Sequence, residues 1–117
     1  MDGRPRLGRA GEDAAAELYR GQGFEVLERN FRCRTGELDL VVRKPGLIVF
    51  CEVKTRSSDR FGLPAEAVGF AKQRRLRRLA AIWMGERSPA RARLRFDVVS
   101  IVAGRAGLEV THIPDAF

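Results

Sequence analysis

Residues 36–55 read Gly36-Glu37-Leu38-Asp39-Leu40-Val41-Val42-Arg43-Lys44-Pro45-Gly46-Leu47-Ile48-Val49-Phe50-Cys51-Glu52-Val53-Lys54-Thr55. Lys44-Pro45-Gly46 separates two apolar runs and has the composition of a tight hairpin connection. The first run, Glu37 to Arg43, reads as a strand in which Glu37, Asp39 and Val41 share one face, because side chains alternate along a strand. The second, Leu47 to Thr55, is apolar without interruption to Cys51, as expected of a central strand covered on both faces. Ile48, Phe50, Glu52 and Lys54 share one of its faces. A hairpin through Pro45-Gly46 then brings Asp39 and Glu52 to the same end of the sheet, with Lys54 beside them.

Working outward, Gly8 to Arg20 reads as a helix. Gly11, Ala14, Ala15 and Leu18 recur at helical spacing, Glu12 and Tyr19 flank that stripe, and Gly21 and Gly23 end it. Phe24 to Phe31 reads as a strand and Cys33-Arg34-Thr35-Gly36 as a turn. Past Thr55, Arg56 to Gly62 reads as a polar loop, and Pro64 can open a helical turn. A second helix is expected from Phe70 to Gly85, burying Leu76, Leu79, Ala80 and Trp83. Ser88 to Ala92 links it to a strand at Leu94–Val102, a turn at Ala103–Gly107 and a last strand at Leu108–Ile113. The order α-β-β-β-α-β-β predicts an α/β fold with a mixed central sheet of about five strands flanked by helices. Residues 1–117 make one domain, with residues 1–7 a basic, flexible N-terminal arm.

Asp39, Glu52 and the backbone carbonyl of Val53 offer hard oxygen donors that suit Mg²⁺ or Mn²⁺. An ion there would polarise a phosphodiester oxygen and lower the pKa of a bound water. Lys54, two residues past Glu52 on the same face, could stabilise the developing charge or position the water. The bland alternative is a surface ion pair, since Glu-x-Lys is common on strands and contributes little when exposed. Glu37 could support the ligands from behind or be a solvated strand end.

The net charge is +7, and the basic excess is arginine, whose fork matches phosphate. A GC-rich genome would also enrich arginine. Lys72, Arg74, Arg75, Arg77 and Arg78 put five basic residues into two helical turns, more than a solvated helix face needs, and point to a nucleic-acid backbone, DNA before RNA. Lys72 and Gln73 could instead face the acidic site. Arg56 and Arg60 could clamp the strand being cut. Asp97 could hold Arg95 or the site from the neighbouring strand but is read first as capping a structural contact, and His112 is read as packing or surface, with no catalytic role. Cys33 and Cys51 make no ligand pattern and read as reduced thiols. The longest apolar run, Leu47–Cys51, is far too short for a bilayer, and no apolar segment follows the charged N-terminus, so a cytoplasmic protein is expected.

The segments Gly36-Glu37-Leu38-Asp39-Leu40-Val41 and Val49-Phe50-Cys51-Glu52-Val53-Lys54-Thr55-Arg56 resemble the bacterial YraN-like uncharacterised protein family. The likeness continues through Gly11-Glu12-Asp13-Ala14-Ala15, Arg29-Asn30-Phe31-Arg32, Phe61-Gly62, Lys72, Arg75-Leu76, Arg95-Phe96-Asp97-Val98-Val99 and His112–Phe117. That family looks like a branch of the restriction-endonuclease-like PD-(D/E)xK superfamily, close to archaeal Holliday-junction resolvases. The resemblance implies a mixed sheet with a helix on each face. It also implies Asp39 and Glu52 as metal ligands, Lys54 as the catalytic lysine and Glu12 as the helix acid completing the centre. Leu38 stands where the superfamily's name has proline.

Three functions are therefore expected in order. The first is a Mg²⁺-dependent endonuclease hydrolysing DNA, branched or structured DNA included. The second is a non-catalytic nucleic-acid-binding module that keeps the nuclease fold, and the third a protein-interaction domain for an acidic partner. A homodimer is expected only by analogy with resolvases.

Overall fold

The computed structural model describes residues 4–57 and 68–117. In chain order the elements are α1 (Arg4–Gly21), β1 (Glu25–Cys33), β2 (Gly36–Lys44), β3 (Leu47–Ser57), α2 (Phe70–Arg87), β4 (Arg93–Gly104) and β5 (Gly107–Ile113). The fold is α/β in the order α-β-β-β-α-β-β, as expected. The five strands lie in the sheet in sequence order, every neighbouring pair antiparallel except β3 and β4, which run parallel. The physical reason is connection length. Short turns can only join antiparallel neighbours, while the parallel pair needs the long crossover that contains α2.

Several boundaries differ from the sequence reading. The helix α1 starts at Arg4, so part of the expected arm is helical backbone. Strand β3 continues to Ser57, where it still pairs with Ala103, so Arg56 is a strand residue and not a loop residue. Arg60, Phe61-Gly62 and the Pro64 turn lie outside the described residues.

Each helix covers one face of the sheet. On one side Ala15, Ala16 and Tyr19 of α1 pack with Leu40, Val42, Val49, Cys51, Val99 and Ile101. On the other, Leu76, Leu79, Ala80 and Trp83 of α2 pack with Leu38, Val41, Ile48, Phe50, Phe96 and Val98. Burying each large aliphatic or aromatic side chain contributes about 1.5–3 kcal/mol. The helix α2 buries the expected stripe. Its Trp83 indole N–H, which cannot be left unpaired in a core, donates to Glu28 Oε1 of β1 at 3.2 Å.

The buried line of α1 is rotated from the expected one. Tyr19, read as a flanking residue, is fully buried. Gly11, Ala15, Ala16 and Tyr19 are buried, and Ala14 and Leu18 sit at their margin. A Cβ at Gly11 would collide with Thr55 Oγ1 and lie 3.2 Å from Thr55 Cβ, so the absent side chain sets how closely α1 approaches β3. Cys33 packs on the α2 side and Cys51 on the α1 side, so the sheet itself separates the two free thiols. Among the described residues no helix is long and apolar enough to cross a membrane.

Candidate metal centre

The site begins with an irregularity in β2. Val41 packs on the α2 side and Leu40 and Val42 on the α1 side, as alternation requires. Leu38 should join Leu40, yet it packs on the α2 side. The facing of the strand therefore reverses at Asp39. Both neighbouring ladders lapse at the same place. The β2–β3 pairing runs from Lys44↔Leu47 to Leu40↔Cys51 and stops one step before Asp39 would meet Glu52. The β1–β2 pairing steps from Arg29↔Leu40 to Phe31↔Leu38 around Asn30, whose φ is 55°. Asparagine tolerates that left-handed conformation better than most residues.

Where the ladder would have continued, the Asp39 carboxylate replaces a strand carbonyl and accepts the Val53 N–H at 2.8 Å. The expected shared face of Glu37, Asp39 and Val41 is thus corrected. Val41 packs toward α2, whereas Glu37 and Asp39 meet Glu12 of α1. One carboxylate oxygen from each of Glu12, Glu37 and Asp39 falls within 4.8 Å of the others, so this triad could hold a metal ion. Glu52 adjoins Asp39 from the other direction. Its Oε1 lies 3.1 Å from Lys72 Nζ of α2, so Lys72, expected to meet phosphate, is in this structure a partner of the acidic site. Gln73 turns away and donates to Val68 O.

The electrostatics follow from this crowding. Burial, then the charge of Glu52, push the Asp39 carboxyl up to about 7, against the opposing pull of the Val53 N–H, with Glu37 adding to the rise. A carboxyl raised by like charges gains from a cation, and the carboxylates of Glu12, Glu37, Asp39 and Glu52 all offer hard oxygens, so the set fits a divalent hard ion. Hydrogen-bond donors hold the rim. Asn30 Nδ2 donates to Glu12 Oε1 at 3.3 Å, and Arg32 Nε bonds Glu37 at 3.0 Å. Lys54 follows Glu52 by two residues on β3 and pairs in register with Ser100. Asn30 was not singled out for the site from the residues. Its signal is an asparagine in mid-strand, a residue type that strands disfavour.

The four arginines in the first half of α2 separate into two groups. Arg74, Arg75 and Arg78 line a cleft with Arg34 and Thr35 of the β1–β2 turn. Arg77 leaves that group and stacks over Phe96 at 4.8 Å and Phe117 at 5.5 Å.

A second polar cluster holds α1 in place. Asp97, fully buried on β4, accepts from Tyr19 Oη at 2.7 Å, from Arg95 Nε and Nη2 at 2.8 Å each, and from the Asp115 N–H at 2.9 Å. His112 Nε2 lies 2.8 Å from the same carboxylate. Burial alone would raise the Asp97 carboxyl, but the bonds from Arg95, His112, Tyr19 and Asp115 outweigh it and hold it below the usual range. His112 is thus a packing and bonding residue, as expected. Tyr19 lies two helical turns beyond Glu12, so this cluster fixes the helix that delivers Glu12 to the acidic centre.

Comparison with known proteins agrees over almost the whole chain. A model of a family described as "Uncharacterised protein family UPF0102" matches residues 11–101. A UPF0102 protein of Frankia casuarinae is 50% identical over 118 residues, covering 100% of both chains. One of Streptomyces griseus is 49% identical over 113 residues, 96% of this chain and 95% of its own. One of Nocardia farcinica is 50% identical over 96 residues, 82% of this chain and 76% of its own.

Proposed function

This chain belongs to the uncharacterised protein family UPF0102, and we propose that it is a Mg²⁺- or Mn²⁺-dependent endonuclease of the PD-(D/E)xK type that hydrolyses phosphodiester bonds in DNA. One observation carries the reading: the convergence on Asp39 of Glu12 and Glu37 from one side and Glu52 from the other. Asp39, Glu52 and the Val53 carbonyl would hold the ion, with Glu12 completing the centre and Glu37 supporting it. A divalent ion supplies Lewis-acid polarisation of the phosphodiester and a more acidic bound water.

The chain's own residues do the rest. Lys54 supplies positive charge where the phosphorane becomes more negative. Lys72 offsets the charge of Glu52 and limits its freedom. Burial and Glu52 hold the Asp39 carboxyl up near 7, so an ion would compete with its proton less as pH rises through neutrality, and activity should climb over that range. Branched DNA, as cut by Holliday-junction resolvases, is the substrate class that the superfamily likeness suggests. Its two symmetric cuts would need two copies of the chain.

The test is cleavage of four-way, flapped, nicked and single-stranded DNA by purified protein with Mg²⁺ or Mn²⁺. Cleavage should fall at least about 100-fold in Asp39→Ala, Glu52→Ala and Lys54→Ala, the scale of losing one electrostatic contact to the transition state. If neither ion supports cutting of any substrate, or if the variants cut like the parent, the reading fails. The arginine-lined cleft favours one other reading, a DNA-binding module without catalysis. It requires salt-dependent binding that is indifferent to Asp39 and Glu52.

A further inference from the structure

Four arginines gather in one place. Arg34, Arg74, Arg75 and Arg78 surround a cleft of about 500 Å³ between the β1–β2 turn and the first half of α2, together with Thr35 and Ala71. Six other arginines have an acidic partner: Arg20 with Glu17, Arg29 with Asp13, Arg32 with Glu37, Arg43 with Glu25, Arg87 with Glu28 and Arg95 with Asp97. Among the described residues no carboxylate forms an ion pair with any of the four in the cleft.

The fold builds this cleft. Gly36, at φ 147°, has Arg75 Cδ 3.4 Å and Leu79 Cδ1 3.5 Å from where its Cβ would be, so α2 lies directly against the turn. Residues 74, 75 and 78 are spaced i, i+1 and i+4, which keeps them on one side of the helix. Four guanidinium groups around a concavity repel one another, and an anion with several oxygens relieves that repulsion. Guanidinium forks match phosphate oxygens in pairs, and the Thr35 hydroxyl adds a further donor. Thr35, in the β1–β2 turn, precedes Glu37 of the acidic centre by two residues, and Lys72 at the start of the same helix as Arg74 pairs with Glu52. The cleft on the α2 side and the acids that meet α1 therefore lie at the same end of β2.

We propose that this cleft seats a backbone phosphate of the DNA, beside the phosphodiester presented to the acidic centre. Arg34, Arg74, Arg75 and Arg78 hold the strand in register while Asp39 and its neighbours act on it. The assignment rests on the reading above that the polyanion is DNA. It does not require that the acidic centre cuts.

The experiment measures binding of the full chain to a labelled four-way DNA junction in EDTA, over a range of salt. Arg74→Ala/Arg78→Ala should raise Kd roughly 10- to 100-fold and reduce the slope of log Kd against log salt by about two, one for each lost phosphate contact. Arg34→Ala alone should weaken binding several-fold. Arg91→Ala/Arg93→Ala removes the same charge beside Gly46, at the opposite end of β2 from the cleft, and should change Kd by less than about threefold. All four of these α2 and β4-side residues are exposed or nearly so, and unchanged thermal midpoints would verify that each variant folds. Equal effects of the two double variants would overturn the proposal, because the attraction would then be diffuse. Absence of parent binding at low salt would also overturn it. A protein that cuts DNA yet binds equally well without Arg74 and Arg78 would remove the cleft and leave the nuclease reading intact. Binding through the cleft without cutting would do the reverse.

Discussion

Replacing Asp97 by alanine tests whether the buried polar cluster anchors α1. Asp97 is fully buried and accepts bonds from Tyr19, Arg95 and the Asp115 N–H, with His112 at 2.8 Å. Alanine would leave the Arg95 guanidinium without its counter-ion and the buried Tyr19 hydroxyl without an acceptor. Removing one partner of a buried ion pair costs about 3–5 kcal/mol, and an orphaned buried hydroxyl adds to that. The unfolding entropy near the midpoint is about 2.1 cal/mol/K per residue, or about 0.25 kcal/mol/K for a chain of this length. A loss of about 4 kcal/mol therefore lowers the midpoint by about 16 °C. Against a typical total of about 5–15 kcal/mol it is a large fraction of the whole. Urea and thermal unfolding followed by circular dichroism would measure both quantities. Tyr19→Phe, which removes a donor and leaves Asp97 with its other partners, should cost only about 1 kcal/mol. A D97A variant within about 1 kcal/mol of the parent would refute the anchoring argument.

Four further outcomes are expected. In Asp39→Asn the fold should be more stable than the parent at pH 8 by a few degrees. A folded carboxyl raised to about 7 binds a proton that the unfolded chain has already released, so its contribution makes stability fall as pH rises from about 4 to about 7, a decline that the variant should lack. Asp97, held low, contributes stability present above the ordinary carboxylate range and lost as pH falls below about 4, which acid titration of the melting midpoint would detect. Millimolar Mn²⁺ at pH 7.5 should raise the parent's midpoint but not that of Asp39→Asn, and equal shifts in both would place the ion elsewhere. Gly11→Ala should destabilise by about 1–2 kcal/mol despite the higher helix propensity of alanine, because the new methyl meets Thr55, and pairing it with Thr55→Ala should restore or exceed parental stability.

Much of the fold was legible from local pattern. The apolar run at Leu47–Cys51, the Pro45-Gly46 turn and the Leu76/Leu79/Ala80/Trp83 spacing each report a periodicity that tertiary contacts then respected. The acids Asp39 and Glu52 and their convergence were legible for the same reason, since a hairpin register is a local property. The position of Glu37 was not. Alternation placed it with Val41, and the structure places it with Glu12, because the strand reverses its facing at Asp39 where two ladders break. The centre of the α1 stripe lies part of a turn away from the expected one, toward Ala16 and Tyr19, since an alanine and an amphipathic tyrosine carry no unambiguous hydrophobic signal.

The amino-acid sequence by itself determined the order of elements, the near-continuous core strand, the basic excess and the charged set at the end of β3. These depend on neighbours a few residues apart. Only the tertiary structure decided which charges meet. It paired Lys72 with Glu52, brought Glu12 and Glu37 to Asp39, drew Arg77 onto Phe96 and Phe117, and left Arg34, Arg74, Arg75 and Arg78 around one cleft. Asp39 meets Glu52 and the Val53 N–H through a hairpin. What surrounds them arrives on a helix from the N-terminal end of the chain, on a crossover helix and on a turn, and no short-range periodicity encodes the packing of elements so far apart in sequence.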